Sequence, residues 1–278
     1  MPVSPSPHTR SAIVARLAAA GCVFAAQEAR LLLRTARTPA ELGAMVDRRV
    51  AGLPLEHVLR WAQFCGLRIA LDEGVFVPRR RTEFLVRQAA ALAPGPVGQA
   101  ATVVVDLCCG SGAVGVALVA ALHAAAPAGR RVELHAVDID PVAAACAAGN
   151  VAAAGGQVYQ GDLYGPLPPM LRGRVCVLVA NPPYVPTRAI GLLPPEARIH
   201  EPQVALDGGA DGLDVLRRVT AAAPHWLAPG GCLLVETSER QAADAAQAAA
   251  GHGLIPRVAR SAELAATIVI ATRPAPPG

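Results

Sequence analysis

The 278-residue chain contains no lysine; all 25 of its basic residues are arginine. That absence excludes Schiff-base chemistry and the lysine of a P-loop nucleotide site. Aromatic residues make up 3% of the chain, few for the stacking surfaces on which nucleic-acid binders lay successive bases. No apolar run approaches the ~18 residues that would cross a bilayer. The seven cysteines, at 22, 65, 108, 109, 146, 176 and 232, are odd in number and include no C-x-x-C pair. This argues against a disulfide framework or zinc site and for reduced thiols in a cytoplasmic protein. No histidines stand at metal spacing, so no metal is expected.

What is present is a large apolar fraction, 53%, with 17% charged residues and a net charge of +4. That is ample for a buried core, and the mild charge does not call for a polyanionic partner. Residues 11–58 read as helices. Ile13, Leu17, Ala20 and Phe24 recur at helical spacing, and Leu31 and Leu32 mark a second stripe. Thr38 caps a third helix with Pro39 in its first turn, continued by Leu42, Met45, Val46 and Arg49. Residues 64–71 and 75–77, around Asp72-Glu73-Gly74, predict a β-hairpin. A helix then runs from Thr82 to Leu92 and is closed by Pro94-Gly95-Pro96. The predicted organisation is a helical module with a hairpin linker over 1–74 and a second domain over 75–278.

Beyond residue 100, apolar runs at 102–107, 132–137, 175–180 and 232–236 read as buried strands. Helical patterns at 113–122, 141–154, 213–227 and 241–250 separate or follow them. This alternation predicts an α/β fold with a parallel sheet covered by helices on both faces. Residues 255–258 and 267–271 suit a closing antiparallel pair.

In such a sheet, ligands bind outside the carboxyl ends of the strands. The first strand runs into Asp106-Leu-Cys108-Cys109-Gly110-Ser111-Gly112-Ala-Val-Gly115, a GxGxxG pattern opening a helix, compatible with NAD, FAD or S-adenosylmethionine. Asp106 suits a cationic ligand such as the ammonium of a methionine moiety, directly or through water. Asp138, ending the second strand, can accept both hydroxyls of a ribose; Asp140 caps the next helix ahead of Pro141. After the third strand, Asp162 is placed for an adenine amino group and Leu163 for the ring. An ordinary turn carboxylate is the alternative for Asp162.

Residues 175–180 end in Asn181-Pro182-Pro183-Tyr184, the most specific signal in the chain. Two prolines fix the backbone and remove two N–H donors. The Asn181 side-chain oxygen and a backbone carbonyl can then accept from one planar NH2 group and direct its nitrogen lone pair, while Tyr184 packs on the flat substrate. Both a glutamine amide and an exocyclic base amine fit that description. Glu201, after a proline-rich loop, is a candidate for contact with substrate backbone or an anchor of the loop. Arg79-Arg80-Arg81 reads as a substrate-facing patch or a solvated face.

These residues resemble the class I S-adenosylmethionine-dependent protein-(glutamine-N5) methyltransferases. The resemblance runs from Leu53-Pro-Leu-Glu-His-Val58 through Phe76-Val-Pro-Arg79, the Asp106–Gly112 loop, Asp138, Gly161-Asp-Leu163, Asn181–Tyr184 and Glu201-Pro202 to Leu227–Gly231. It implies a doubly wound, mostly parallel seven-stranded sheet with a small N-terminal helical domain that helps dock a protein. It implies S-adenosylmethionine as cofactor, lined by Cys108 to Gly112, Asp138, Leu163 and Asn181. The implied reaction is methylation of a glutamine, that of the GGQ motif in a peptide-chain release factor, held by Asn181 to Tyr184. A monomer with a protein partner, rather than a membrane or nucleic acid, is expected. Two departures stand out. Cys108 replaces the usual first glycine of the loop, and Arg80-Arg81 replaces the Pro-Glu or Pro-Asp usual between Pro78-Arg79 and Thr82-Glu83.

Overall fold

The computed structural model describes residues 7–93, 101–125 and 131–275; the Pro94-Gly95-Pro96 helix stop lies outside them. Four helices come first: α1 (Pro7–Ala19), α2 (Ala25–Thr35), α3 (Pro39–Val50) and α4 (Leu55–Leu59). They share one apolar core that includes Leu17, Leu32, Val46 and Leu59. Thr38 caps α3, its hydroxyl accepting from Glu41 N at 3.1 Å, and Leu42, Met45, Val46 and Arg49 are buried as the spacing predicts. The first stripe extends less far than expected. Gly21, at φ +88°, ends α1, and Phe24 is left 63% exposed. Arg49 is the anomaly of this core. Its guanidinium donates to Glu28 at 2.7 Å and to Glu196 at 2.7 Å from a distant segment.

The hairpin lies elsewhere than predicted. Strands β1 (Trp61–Phe64) and β2 (Leu67–Ala70) pair antiparallel around Cys65-Gly66. Both turn residues have positive φ, 49° and 78°, the conformation of a two-residue hairpin turn. Asp72-Glu73-Gly74 is a separate bend. Phe64 and Ile69 bury into the core of the main sheet rather than that of the helices.

The main sheet contains β3 (Thr102–Leu107), β4 (Val132–Asp138), β5 (Gln157–Gln160), β6 (Val175–Ala180), β7 (Leu227–Thr237), β8 (Ile255–Ser261) and β9 (Ala266–Thr272). Its order is β5-β4-β3-β6-β7-β9-β8. The first five pair in parallel, and β9 runs antiparallel to β7 and β8. Alternating side chains of β3 feed two cores. Val103, Val105 and Leu107 join α9 (Asp214–Trp226) and α10 (Ala242–Gly251). Val104 faces α5 (Glu83–Leu92), α6 (Ala113–Ala125) and α7 (Pro141–Ala153). The chain moves outward from β3 to β5 and returns to β6 on the other side of β3. The order therefore reverses between β3 and β6, where such a sheet opens a crevice. All seven cysteines are free. Among the described residues, no helix is long and apolar enough to cross a membrane.

Candidate active site

A cavity of about 590 Å³ opens at that reversal, over the carboxyl ends of β3, β4 and β6 and the turn after β5. The loop after β3 forms one wall through Cys108, Cys109, Gly110 and Ser111. Its path requires left-handed backbone at Cys108 (φ 54°), Gly110 (φ 55°) and Gly112 (φ 76°). The two glycines serve different ends. A Cβ at Gly110 would meet nothing within 4 Å, which leaves room for a ligand to approach the backbone. A Cβ at Gly112 would lie 2.7 Å from Val151 of α7. Gly112 does not line the cavity; the sequence expectation is corrected there, because its missing side chain makes room for a helix.

Asp106 also lies behind the wall rather than on it. It is 1% exposed, and its Oδ2 accepts from Gly115 N at 2.8 Å. Burial pushes its carboxyl up to about 7. Its role here is to hold the first turn of α6, and direct contact with a cationic ligand is not what this geometry offers. Asp138 does reach the wall. Its two oxygens accept from Gly110 N at 2.7 Å and Asp140 N at 3.0 Å, which fixes the carboxylate and leaves lone pairs for a ligand. Asp140 caps α7 through Val142 N at 2.9 Å. Asp162 and Leu163 line the same half of the cavity, with the Asp162 carboxylate ion-paired to Arg218 of α9.

Asn181, Pro182, Pro183 and Tyr184 continue β6 into the cavity. Asn181 Oδ1 is buried without a hydrogen-bond partner, as is Ser111 Oγ on the facing loop. Buried acceptors without partners are rare because each costs about 1–3 kcal/mol. Tyr184 O is taken by Gln241 Nε2 at 3.0 Å, so the acceptors left to the turn are Asn181 Oδ1 and carbonyls ahead of Tyr184. The Tyr184 hydroxyl accepts from Arg81 Nη2 at 2.7 Å and donates to Glu236 Oε1 at 3.1 Å. Arg81 Nε donates to that same oxygen at 3.0 Å.

A strap between Val185 and Asp207 closes the remaining side. It contains α8 (Pro195–His200), and its two ends are tied together by Val185 N donating to Leu206 O at 3.0 Å. Glu201, 6% exposed, fastens it: its carboxylate accepts from Arg79 at 2.6 Å and Val77 N at 3.1 Å. Arg79 lies over the Phe76 ring, 4.7 Å from its centroid. Arg79 and Glu201 thus both line the cavity, bound to each other. From the helical module, Pro54 and Glu56 complete the wall.

Seven carboxylates line the cavity (Glu56, Asp138, Asp140, Asp162, Glu196, Glu201 and Asp207) against three guanidiniums, Arg79, Arg81 and Arg218. The wall is acidic in a chain of net charge +4. The sequence reading missed Glu56, Arg218, Gln241 and Glu236. Only Glu236 carries a local signal, a lone carboxylate ending the apolar run of β7.

Comparison with known proteins agrees with this geometry. Residues 72–193 match the family described as Methyltransferase small domain. The ribosomal protein L11 methylase of Lactobacillus delbrueckii has the same fold. Its TM-score is 0.51 at 16% identity, over 74% of this chain and 85% of that one. A 4-amino-L-phenylalanine/4-methylamino-L-phenylalanine methyltransferase of Streptomyces pristinaespiralis is 38% identical over 202 residues, 71% of this chain and 65% of that one. The release factor glutamine methyltransferase of Geobacter sulfurreducens is 40% identical over 209 residues, 73% of this chain and 68% of that one. With that identity over more than two thirds of both lengths, the chain belongs to the release factor glutamine methyltransferase family.

Proposed function

We propose that the protein transfers a methyl group from S-adenosylmethionine to the N5 amide nitrogen of a protein glutamine, that of the GGQ motif in a peptide-chain release factor. The observation that carries this reading is the buried, unpartnered Asn181 Oδ1 on the cavity wall. The cofactor supplies an electrophilic methyl group on a sulfonium. The residues suited to hold it are Gly110 and Ser111 at the open loop, Asp138 for ribose hydroxyls, and Asp162 and Leu163 for the adenine. The acidic wall favours a cation.

A glutamine amide is a poor nucleophile because its nitrogen lone pair is delocalised. Asn181 Oδ1 and a carbonyl of the proline turn, accepting from its two hydrogens, orient that nitrogen and favour its pyramidalisation. The prolines hold the acceptors in place, so little reorganisation is needed during transfer. No strong base is required, since the methylated nitrogen sheds its proton to water. This reading places the protein in the cytoplasm, acting as a monomer on a protein partner.

The Streptomyces relative supplies a second reading. Its name gives an aromatic amine as substrate, and the same two acceptors suit a planar arylamine. A nucleic-acid base is disfavoured because phosphates would face seven wall carboxylates against three guanidiniums. The test incubates the purified protein with S-adenosylmethionine and a release factor from its own source, then maps methylation by mass spectrometry. A 14-Da gain on the GGQ glutamine is expected. A release factor left unmodified, in an incubation where added 4-amino-L-phenylalanine is methylated, overturns the reading.

A further inference from the structure

Nearly every charge on the cavity wall is already engaged. Arg79 holds Glu201, Arg81 holds Glu236, Arg218 holds Asp162, and Arg49 holds Glu196. Asp138 and Asp140 accept from backbone N–H groups, and Asp207 from Thr187 and Gln203. Glu56 is the exception. It lines the cavity, yet among the described residues its side chain forms no hydrogen bond or ion pair. The titratable groups near it are His57, which burial keeps toward its neutral form, and Glu201, which Arg79 and Val77 N already hold.

Position gives this carboxylate a role. Glu56 sits in α4, where the helical module meets the cavity, and Glu201 at the end of α8 lines the same cavity. The groups suited to ribose and adenine are on other elements, the turns after β4 and β5. Asn181 lies at the end of β6. Residues of the helical module (Pro54, Glu56) and of the strap (Pro194, Glu196) line the same cavity as Asn181. Around it the wall keeps an excess of carboxylates, more than one cationic cofactor offsets.

We propose that Glu56 is a specificity-determining residue that meets a positive charge on the polypeptide flanking the target glutamine, so that the preferred substrate carries arginine or lysine within a few residues of it. This rests on the glutamine reading and names the substrate class within it. A carboxylate held on the cavity wall with no internal partner stays available to a cation. An acidic segment would instead meet like charge.

The test uses three peptides of one length centred on Gly-Gly-Gln, with two arginines, two uncharged glutamines or two glutamates in the flanks. Affinity is measured by fluorescence anisotropy on the full chain with adenosylhomocysteine present, and turnover by mass spectrometry. The arginine peptide is expected to bind about tenfold tighter than the glutamate peptide at low salt, with the gap shrinking as salt rises. Glu56→Gln should narrow that ratio about threefold, raise KM for the arginine peptide more than it moves kcat, and leave the melting temperature near that of the parent. Glu56→Arg should narrow it further.

An equal ratio in parent and Glu56→Gln, or a parent that prefers the glutamate peptide, overturns the assignment. The glutamine reading fails separately: binding would then keep its flank-charge ranking and its dependence on Glu56 while no peptide gained a methyl group.

Discussion

Tyr184, on the turn after β6, meets Glu236 of β7, the tyrosine hydroxyl donating to Glu236 Oε1 at 3.1 Å while Arg81 binds both. Glu236 keeps 2% of its side chain exposed and Arg81 43%. Removing the arginine leaves a buried carboxylate facing a phenol, with no cation to offset its desolvation. Arg81→Ala is therefore expected to cost about 2 kcal/mol, less than a fully buried pair would, because Arg81 reaches solvent. Denaturant unfolding measures this. Loss of the tether also frees Tyr184, so kcat should fall, and Arg81→Ala/Glu236→Gln should recover part of the lost stability.

The cofactor loop separates two kinds of glycine. Gly112→Ala puts a methyl group 2.7 Å from Val151 at a φ of +76°, and an expected loss of about 2–4 kcal/mol follows from overpacking plus backbone strain. Gly110→Ala meets nothing. It should cost only about 1 kcal/mol of stability while weakening S-adenosylmethionine binding more than tenfold, read by calorimetry. Cys108, at φ 54°, is the converse case. Cys108→Gly relieves a left-handed conformation that a Cβ disfavours, and a gain of about 1 kcal/mol is expected.

Where the chemistry was local, the sequence was legible. Thr38 and Asp140 cap the helices they precede, and the limits of β3 and β6 match the apolar runs at 102–107 and 175–180. The hairpin was misread because Cys65-Gly66 lacks the Asn-Gly or Asp-Gly signature of its turn, whereas Asp72-Glu73-Gly74 carries turn-forming residues without pairing two strands. Asn181–Tyr184, Asp138 and Cys108–Ser111, all singled out by motif, come together on one cavity wall. The pairings of Arg218 and of Arg81, the latter within the run read as a possible substrate-facing patch, were illegible, their partners being 56 and 155 residues away. No periodicity encodes such a pairing. Asp106, expected to meet a cationic ligand directly or through water, is buried and accepts from Gly115 N of α6, a position that does not suit the direct contact.

Asp106 also gives the protein a pH signature. Burial raises its carboxyl to about 7 in the folded state, from about 3.8 ordinarily. Between those values the folded chain holds a proton that the unfolded chain has released. The contribution of Asp106 to stability therefore falls as pH rises from about 4 to about 7 and levels off above, against the opposite trend of the buried His57 and half-buried His135. Asp106→Asn keeps an acceptor for Gly115 N and cannot titrate. Above pH 7 it is expected to exceed the parent by about 2–4 kcal/mol, with the gap closing toward pH 4. Thermal melts across that range check the sign; a gap that widens toward acid would contradict it.

Asn181 separates binding from chemistry. Its Oδ1 is a buried, unpartnered acceptor of a cavity-lining residue, and in the proposed reaction truncating it removes one of the two groups that orient the amide. Asn181→Ala is expected to lower kcat by about 10²–10³, the range seen when one preorganised hydrogen-bonding group at a reacting centre is lost. The cofactor dissociation constant should move less than about tenfold, since the loop at Gly110 and the carboxylate of Asp138 remain. Asn181→Asp discriminates further. It retains an oxygen acceptor but loses the amide donor, so it should keep more activity than the alanine variant if acceptance is what matters. Equal loss in both variants would assign the role to the NH2 group instead, and parental turnover in Asn181→Ala would remove Asn181 from the reaction.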